Sequence, residues 1–431
     1  MSTFVSRGSQ LRQVIPAPVR RVFANQGYRR FGAAVGVDRF AGTLWLAVVA
    51  WVASSANHWV YAAIMTLGTL PAILLLVFGG AASDAFGAGR VLLVTSALRI
   101  AVAVVWAVAT PFSGRTTLLW VLTAVAVVWD GMEGYHEPAV EAYPNYFLPT
   151  TELSSDAVDA DRLIGRIAQT LGAVTGGVVL GTAGGLTTSA VVFVLLLIAA
   201  AVLYGRTSRL VGFPQERVDT EGILGDVRAG MRLVRAQPVL IRTYPVQAVT
   251  SMTGGGAVTV GAALLARHYH WAAAWYGVSF GGFIAGILIG TLWAIHRKDQ
   301  ARHHVRTALI GASIAAIAAL VAGLTSSAPV YAIAVTLIGI TTGPMGPYLT
   351  GYARVRAKDL SNDGEVTGRM LAPLLLGLQL EPLGYLIVAG AAAAGSISAG
   401  IVVLGLLSLA TCAVALSSDQ VRQAGVATTT A

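Results

Sequence analysis

The chain has 431 residues, of which 55% are hydrophobic and only 11% charged. An ordinary soluble domain carries about a quarter charged residues, so this composition excludes a protein solvated by water and points to lipid instead. The net charge of +9 does not indicate nucleic acid, because the basic residues lie in the gaps between apolar runs, where they set membrane orientation.

Residues 1–30 are Arg-rich, but no cleavage-type site follows, and no removable targeting segment is expected. Apolar runs then recur at about 20 residues each, enough to cross a ~30 Å hydrocarbon core. They predict spans at 33–54, 60–82, 91–111, 116–137, 163–183, 187–205, 239–264, 272–295, 307–325, 329–351, 369–390 and 395–416, twelve in all. The N-terminal tail and the even-numbered gaps hold most of the arginines, while the other gaps hold only Arg115 and Arg267. The positive-inside rule therefore places both termini in the cytoplasm. The single cysteine, Cys412, allows no internal disulfide.

The longest polar stretch, 206–238, divides the chain into six-span halves, 1–205 and 239–431. Within it Ile223, Val227, Met231 and Val234 fall at helical spacing, which predicts an amphipathic helix on the inner membrane surface. Span five opens with Gly165-Arg166-Ile167 and span eleven with Gly368-Arg369-Met370, an echo between the halves.

The ionisable residues inside the spans are the candidates for function. Span one carries Asp38 and Arg39, which sit either at headgroup level or as partners for span four. Arg99, about 12 Å into span three by helix rise, reads as a structural partner. Span four cannot begin before about Thr116, and the fourteen residues to Trp129 make only ~21 Å of helix. The helix must therefore continue through Asp130 and Glu133, with Pro138 marking its inner end. Asp130, Glu133 and Glu137 form one stripe, with His136 on its flank. A carboxylate at that depth costs several kcal/mol unless it is paired, hydrated or protonated. Asp130 and Glu133 are thus proton-coupling candidates, with an ion pair to Arg39 as the structural alternative. Glu137 and His136 are expected at the interface. Glu381, near the middle of predicted span eleven and followed by Pro382, is a further candidate. Gln247, Thr250, Ser251 and Met252 of span seven, and Tyr348 beside Pro344 and Pro347 in span ten, read as either core or cavity lining. His303 and His304, beside arginines in a cytoplasmic gap, are expected to be solvated.

Two short motifs carry a resemblance. Gly80, Asp84, Gly87 and Arg90 after span two follow the order of the G-x-x-x-D-x-x-G signature loop of the major facilitator superfamily. There the glycines permit a tight turn and close helix approach, and the Asp faces a helix end. In span five Gly172, Gly176 and Gly177 resemble the G-P-x-x-G-G motif of that superfamily's proton-coupled antiporters, with Ala173 in place of the proline; small-residue helix packing is the alternative. Gly36-x-Asp38, the SALR ending at Arg99, Pro138-Ala139 and Pro382-x-Gly384 resemble the branch with enterobactin and macrolide exporters. The resemblance implies an all-α membrane protein of twelve helices in two parallel six-helix repeats, and proton-driven export of a small amphipathic molecule. An importer or uniporter of a polar metabolite is the rival reading. No phosphate loop, zinc motif or nucleophile elbow is present, so no enzyme, cofactor or metal site is expected. The expected setting is a bacterial inner membrane, with a monomeric chain, substrate and protons as partners, and no nucleic acid.

Overall fold

The computed structural model describes residues 17–146, 148, 151–182, 184–211, 232–296, 304–360 and 377–423. Among them every regular element is helical. In chain order the main helices are α1 Gln26–Ala53, α2 His58–Phe86, α3 Ala88–Phe112, α4 Arg115–Ala142, α5 Thr151–Leu180, α6 Gly185–Val211, α7 Pro238–His268, α8 Ala273–His296, α9 His304–Leu324, α10 Ala328–Ala353, α11 Glu381–Ala393 and α12 Ile397–Leu416. Eleven are long and apolar enough to cross a membrane; α11 is shorter, with 13 described residues. Asn25 caps α1 and Asn57 caps α2, each accepting from backbone N–H groups of the first turn.

Several boundaries differ from the sequence reading. Helix α1 opens at Gln26 rather than residue 33, so Asp38 lies about 18 Å into the helix, where it is buried and paired with Arg99. Helix α5 opens at Thr151 rather than 163, and about three turns in Tyr28 Oη donates to Asp161 at 2.6 Å. Pro138 lies inside α4 instead of ending it. The proline has no N–H for the Gly134 carbonyl, and Gly79 of α2 presses on that carbonyl, where a Cβ would overlap it. Glu381 is not mid-helix: a turn at 379–380 precedes it, and Pro382 occupies the start of α11, where its missing N–H costs nothing. His304 opens α9, half-buried, with its ring 4.8 Å from that of Tyr348, rather than solvated. Helix α10 breaks at Gly343-Pro344. Gly368-Arg369, His303 and most of the predicted linker helix lie outside the described residues; Val234 of that helix is buried.

Helix pairing repeats six elements on. α1 packs on α5 as α7 does on α11, α2 on α4 as α8 on α10, and α3 on α6 as α9 on α12. The first six helices meet the last six through α5 against α8 and α2 against α11, again six apart. Glycines let these backbones touch. A Cβ on Gly177 would lie 2.6 Å from the Gly277 Cα, and one on Gly281 would meet Val174 and the Thr170 carbonyl. Gly177→Val should therefore destabilise the purified protein by ~1–3 kcal/mol, as overpacking does, and lower its thermal transition. Gly346→Ala, with nothing within 4 Å, should leave it unchanged. Equal transitions for the two would contradict this packing.

One end of the bundle is closed by contacts between the two sets of helices. Arg267 of α7 donates to Trp51 O at 3.1 Å and Ser54 Oγ at 3.3 Å, and stacks 4.2 Å over the Trp51 ring. Tyr61 Oη donates to Thr259 O at 3.5 Å. That carbonyl belongs to a π-helical stretch of α7, Gly254–Gly261, whose Ala257 carbonyl accepts from Tyr331 Oη.

Candidate functional site

A cavity of about 190 Å³ lies among α1, α2, α3, α4 and α5. Its charged lining is Asp38, Arg39, Arg99, Asp130 and Glu133, and its apolar lining includes Trp45, Ile64, Met65 and Trp129. Span-one and span-four candidates thus share one site with Arg99.

The charges form a connected network. Arg99, 2% exposed, reaches Asp38 Oδ1 at 3.1 Å and Glu133 Oε2 at 3.3 Å, with its Cζ 4.0 Å over the Trp129 ring. Arg39 reaches Glu137 Oε1 at 2.5 Å and, more distantly, Glu133 Oε1 at 3.9 Å. Glu133 and Glu137 are one helical turn apart on α4, so a single guanidinium can address both. Low local dielectric makes such a network costly to break and costly to leave incomplete.

His136 is fully buried, not interfacial as expected. Its Nε2 donates to Asp38 Oδ2 at 3.0 Å, and its Nδ1 meets Thr95 Oγ1 at 2.8 Å. The Thr95 hydroxyl also lies 2.7 Å from Val91 O. It has one proton to give. The sequence reading missed Thr95 and the depth of His136, since both partners of this histidine lie on other helices.

Asp130 stands apart. Its Oδ2 lies beside Gly68 of α2, where a Cβ would come within 3.3 Å. It makes no hydrogen bond or ion pair with any described residue; Glu133 and Arg99 act on it only through space. The alternative of an Asp130–Arg39 ion pair is not what the structure holds, because Arg39 is taken by Glu137 and Glu133.

Glu381 lies outside this cavity. Tyr385 Oη donates to its Oε2 at 3.2 Å, and Arg166 of α5 acts on it electrostatically. Gly255 of α7 abuts its Cβ. Gln247, Thr250, Ser251 and Met252 are buried in α7 without lining the cavity. Ser251 Oγ donates to Leu378 O at 2.5 Å, and the Met252 carbonyl faces Gly384 so closely that no Cβ fits. The Gln247 Oε1 and Thr250 Oγ1 atoms are buried without a hydrogen-bond partner among the described residues. Tyr348 packs on His304, also away from the cavity.

The loop after span two shrinks to one residue. Gly87, at φ 84°, is the joint between α2 and α3, a conformation that suits glycine. Gly80 and Asp84 lie within α2, and Arg90 is exposed in the first turn of α3. Close helix approach falls to Gly79, not Gly80, which has nothing within 4 Å. In α5, Gly172 abuts the Phe40 carbonyl of α1, Gly176 abuts Ala47 at 3.1 Å, and Gly177 abuts α8.

A family model described as "Transmembrane secretion effector" matches residues 25–424. No curated protein matches the chain in sequence. Solved structures of similar fold include a peptide transporter POT in complex with sulfate, at TM-score 0.67 and 14% identity, covering 93% of this chain and 95% of that one. The nucleoside transporter NupG aligns at TM-score 0.66 and 10% identity, covering 91% and 99%. A POT family transporter in complex with 5-aminolevulinic acid aligns at TM-score 0.68 and 12% identity, covering 93% and 96%.

Proposed function

Because the chain belongs to the transmembrane secretion effector family and is a multi-pass secondary transporter of the major facilitator fold, not an enzyme, we propose that it exports a small amphipathic organic molecule in exchange for protons by alternating access. One observation carries the coupling: Asp130 is a carboxyl at membrane depth, beside a cavity, with no partner of its own among the described residues. An isolated carboxylate there costs several kcal/mol. Taking up a proton removes that cost, and a change of access lets the proton leave. Glu381, held by Tyr385 and opposite Arg166, is the second proton-coupling candidate. Asp38 and Glu133, both tied to Arg99, respond through that network.

In this reading residues 1–205 and 239–431 are two six-helix bundles that rock against each other, the cavity being held by the first, with 206–238 as a cytoplasmic linker. Gly87 is the hinge-like joint of the gating loop, with Gly80, Asp84 and Arg90 around it. Gln247, Thr250, Ser251, Met252 and Tyr348 contribute to the substrate path only if α7 and α10 turn in another state. The chain works as a monomer in a bacterial inner membrane, with both termini cytoplasmic. Efflux of an antibiotic is one role such an antiporter would serve.

Everted membrane vesicles with an imposed pH gradient, acid inside, test the proposal. A panel of fluorescent amphipathic compounds is offered; at least one should accumulate, and a protonophore should abolish the accumulation. Accumulation indifferent to the protonophore would favour the uniporter reading instead. Orientation is tested separately. Ser327→Cys should label with an impermeant maleimide in intact cells, and Arg235→Cys only after lysis; both positions are exposed, whereas Cys412 is buried. Labelling of position 235 in intact cells would overturn the orientation.

A further inference from the structure

We infer that the cavity selects ligands carrying a positive charge on an apolar body, with Asp130 as the counter-ion. The inference rests on the cavity being the substrate site proposed above, and it adds the sign of the substrate's charge.

The first support is a charge count by location. Arg39 is committed to Glu137 and Glu133, and Arg99 to Asp38 and Glu133. Three carboxylates thus share two guanidinium groups before Asp130 is counted. The next arginine along α5, Arg166, bonds Gln169 at 3.2 Å and acts on Glu381. His136 lies behind Asp38, and any charge it carries is met there. An anionic ligand therefore finds no uncommitted cation in the described lining and must displace a carboxylate to gain one. A cationic ligand finds Asp130 without rearranging anything.

The second support is access. Among the described glycines, Gly68 is the one whose missing side chain would fall at contact distance from Asp130 Oδ2. Any larger residue would wall the carboxylate off from α2. Apolar surface for the rest of the ligand comes from Trp45, Ile64 and Met65. Arg99 covers one face of Trp129 and Phe193 stacks on one face of Trp45, so each ring offers the cavity only the surface that remains. At about 190 Å³ the space is below the ~300 Å³ at which drug-sized pockets begin, so the test uses small probes.

Titration calorimetry on the purified full-length protein compares three ligands that share a benzyl group: benzyltrimethylammonium, N-benzylacetamide and benzylsulfonate. The cation should bind at least tenfold more tightly than the neutral amide, and the anion should not bind measurably. Asp130→Asn should weaken the cation at least tenfold and leave the amide unchanged, while Asp130→Glu should keep most of the cation's affinity. Gly68→Val, which retains the carboxyl and blocks the approach to it, should match Asp130→Asn. The inference is overturned if the sulfonate binds as well as the cation, if none of the three binds, or if Asp130→Asn leaves cation affinity intact. The ranking in the wild-type protein decides the matter even where a variant fails to fold. Cation binding with vesicle transport indifferent to a protonophore would refute proton coupling and leave this inference standing.

Discussion

Arg99→Leu should destabilise the protein by ~3–5 kcal/mol, the usual cost of stripping one partner from a buried ion pair. Arg99 is 2% exposed and holds Asp38 and Glu133 together across α1, α3 and α4. Without it Asp38 keeps only His136, and Glu133 keeps only the distant Arg39, among the described residues. The lost stacking on Trp129 adds to the deficit. The double variant Asp38→Leu/Arg99→Leu should recover part of the loss, because an apolar pair replaces a buried ionic one at little cost. Thermal unfolding in detergent reads both. If the single variant melts with the wild type, the cluster does not hold these helices together.

Asp130→Asn and Glu381→Gln should abolish accumulation driven by a pH gradient. Each pH unit supplies ~1.4 kcal/mol per proton, and the membrane potential adds ~2.3 kcal/mol per charge per 100 mV. Since ~1.4 kcal/mol is tenfold in an equilibrium, the two together support a gradient of a few hundredfold for a neutral substrate, whereas a singly charged cation exchanged one for one moves no net charge and gains only the pH term, about tenfold. Either gradient should collapse in the variants. Asparagine keeps the size of Asp130, and a glutamine in place of Glu381 still accepts from Tyr385, so neither change opens a hole. Exchange of internal for external substrate should survive in at least one variant, because exchange needs no net proton release. Full pH-driven transport in both would leave neither carboxyl as the coupling site.

The membrane-helical fold was legible because lipid leaves little choice: each crossing needs a long apolar run with all its backbone groups bonded internally. Spans two, three, eight, nine and twelve therefore begin within a few residues of their predicted starts. The start of α5 was not legible, because a polar stretch runs helically into the apolar span, and Asp161 within it is met by Tyr28 of α1. Pro138 misled for a related reason: the rule that proline ends a helix fails where the partner helix offers a glycine to the freed carbonyl. In the site, the acidic stripe of α4 was readable from spacing, and so was its need for partners. Which partner goes with which acid was not. Asp38, Arg99 and His136 come together from three helices, and no local period places His136 Nε2 on Asp38. The small polar run of α7 reads the same as lining or as core; here Ser251 meets Leu378 and Met252 meets Gly384 of α11, contacts between helices that no spacing in the sequence announces.

The most direct test of proton-coupled export is to watch the proton itself. Purified protein is reconstituted into liposomes containing a trapped pH dye, with no gradient imposed, and a compound accumulated by the everted vesicles is added outside. Wild-type protein should move protons opposite to the compound, producing a lumenal pH change that Asp130→Asn lacks. Uptake of the compound by wild-type protein with no proton movement would contradict the account.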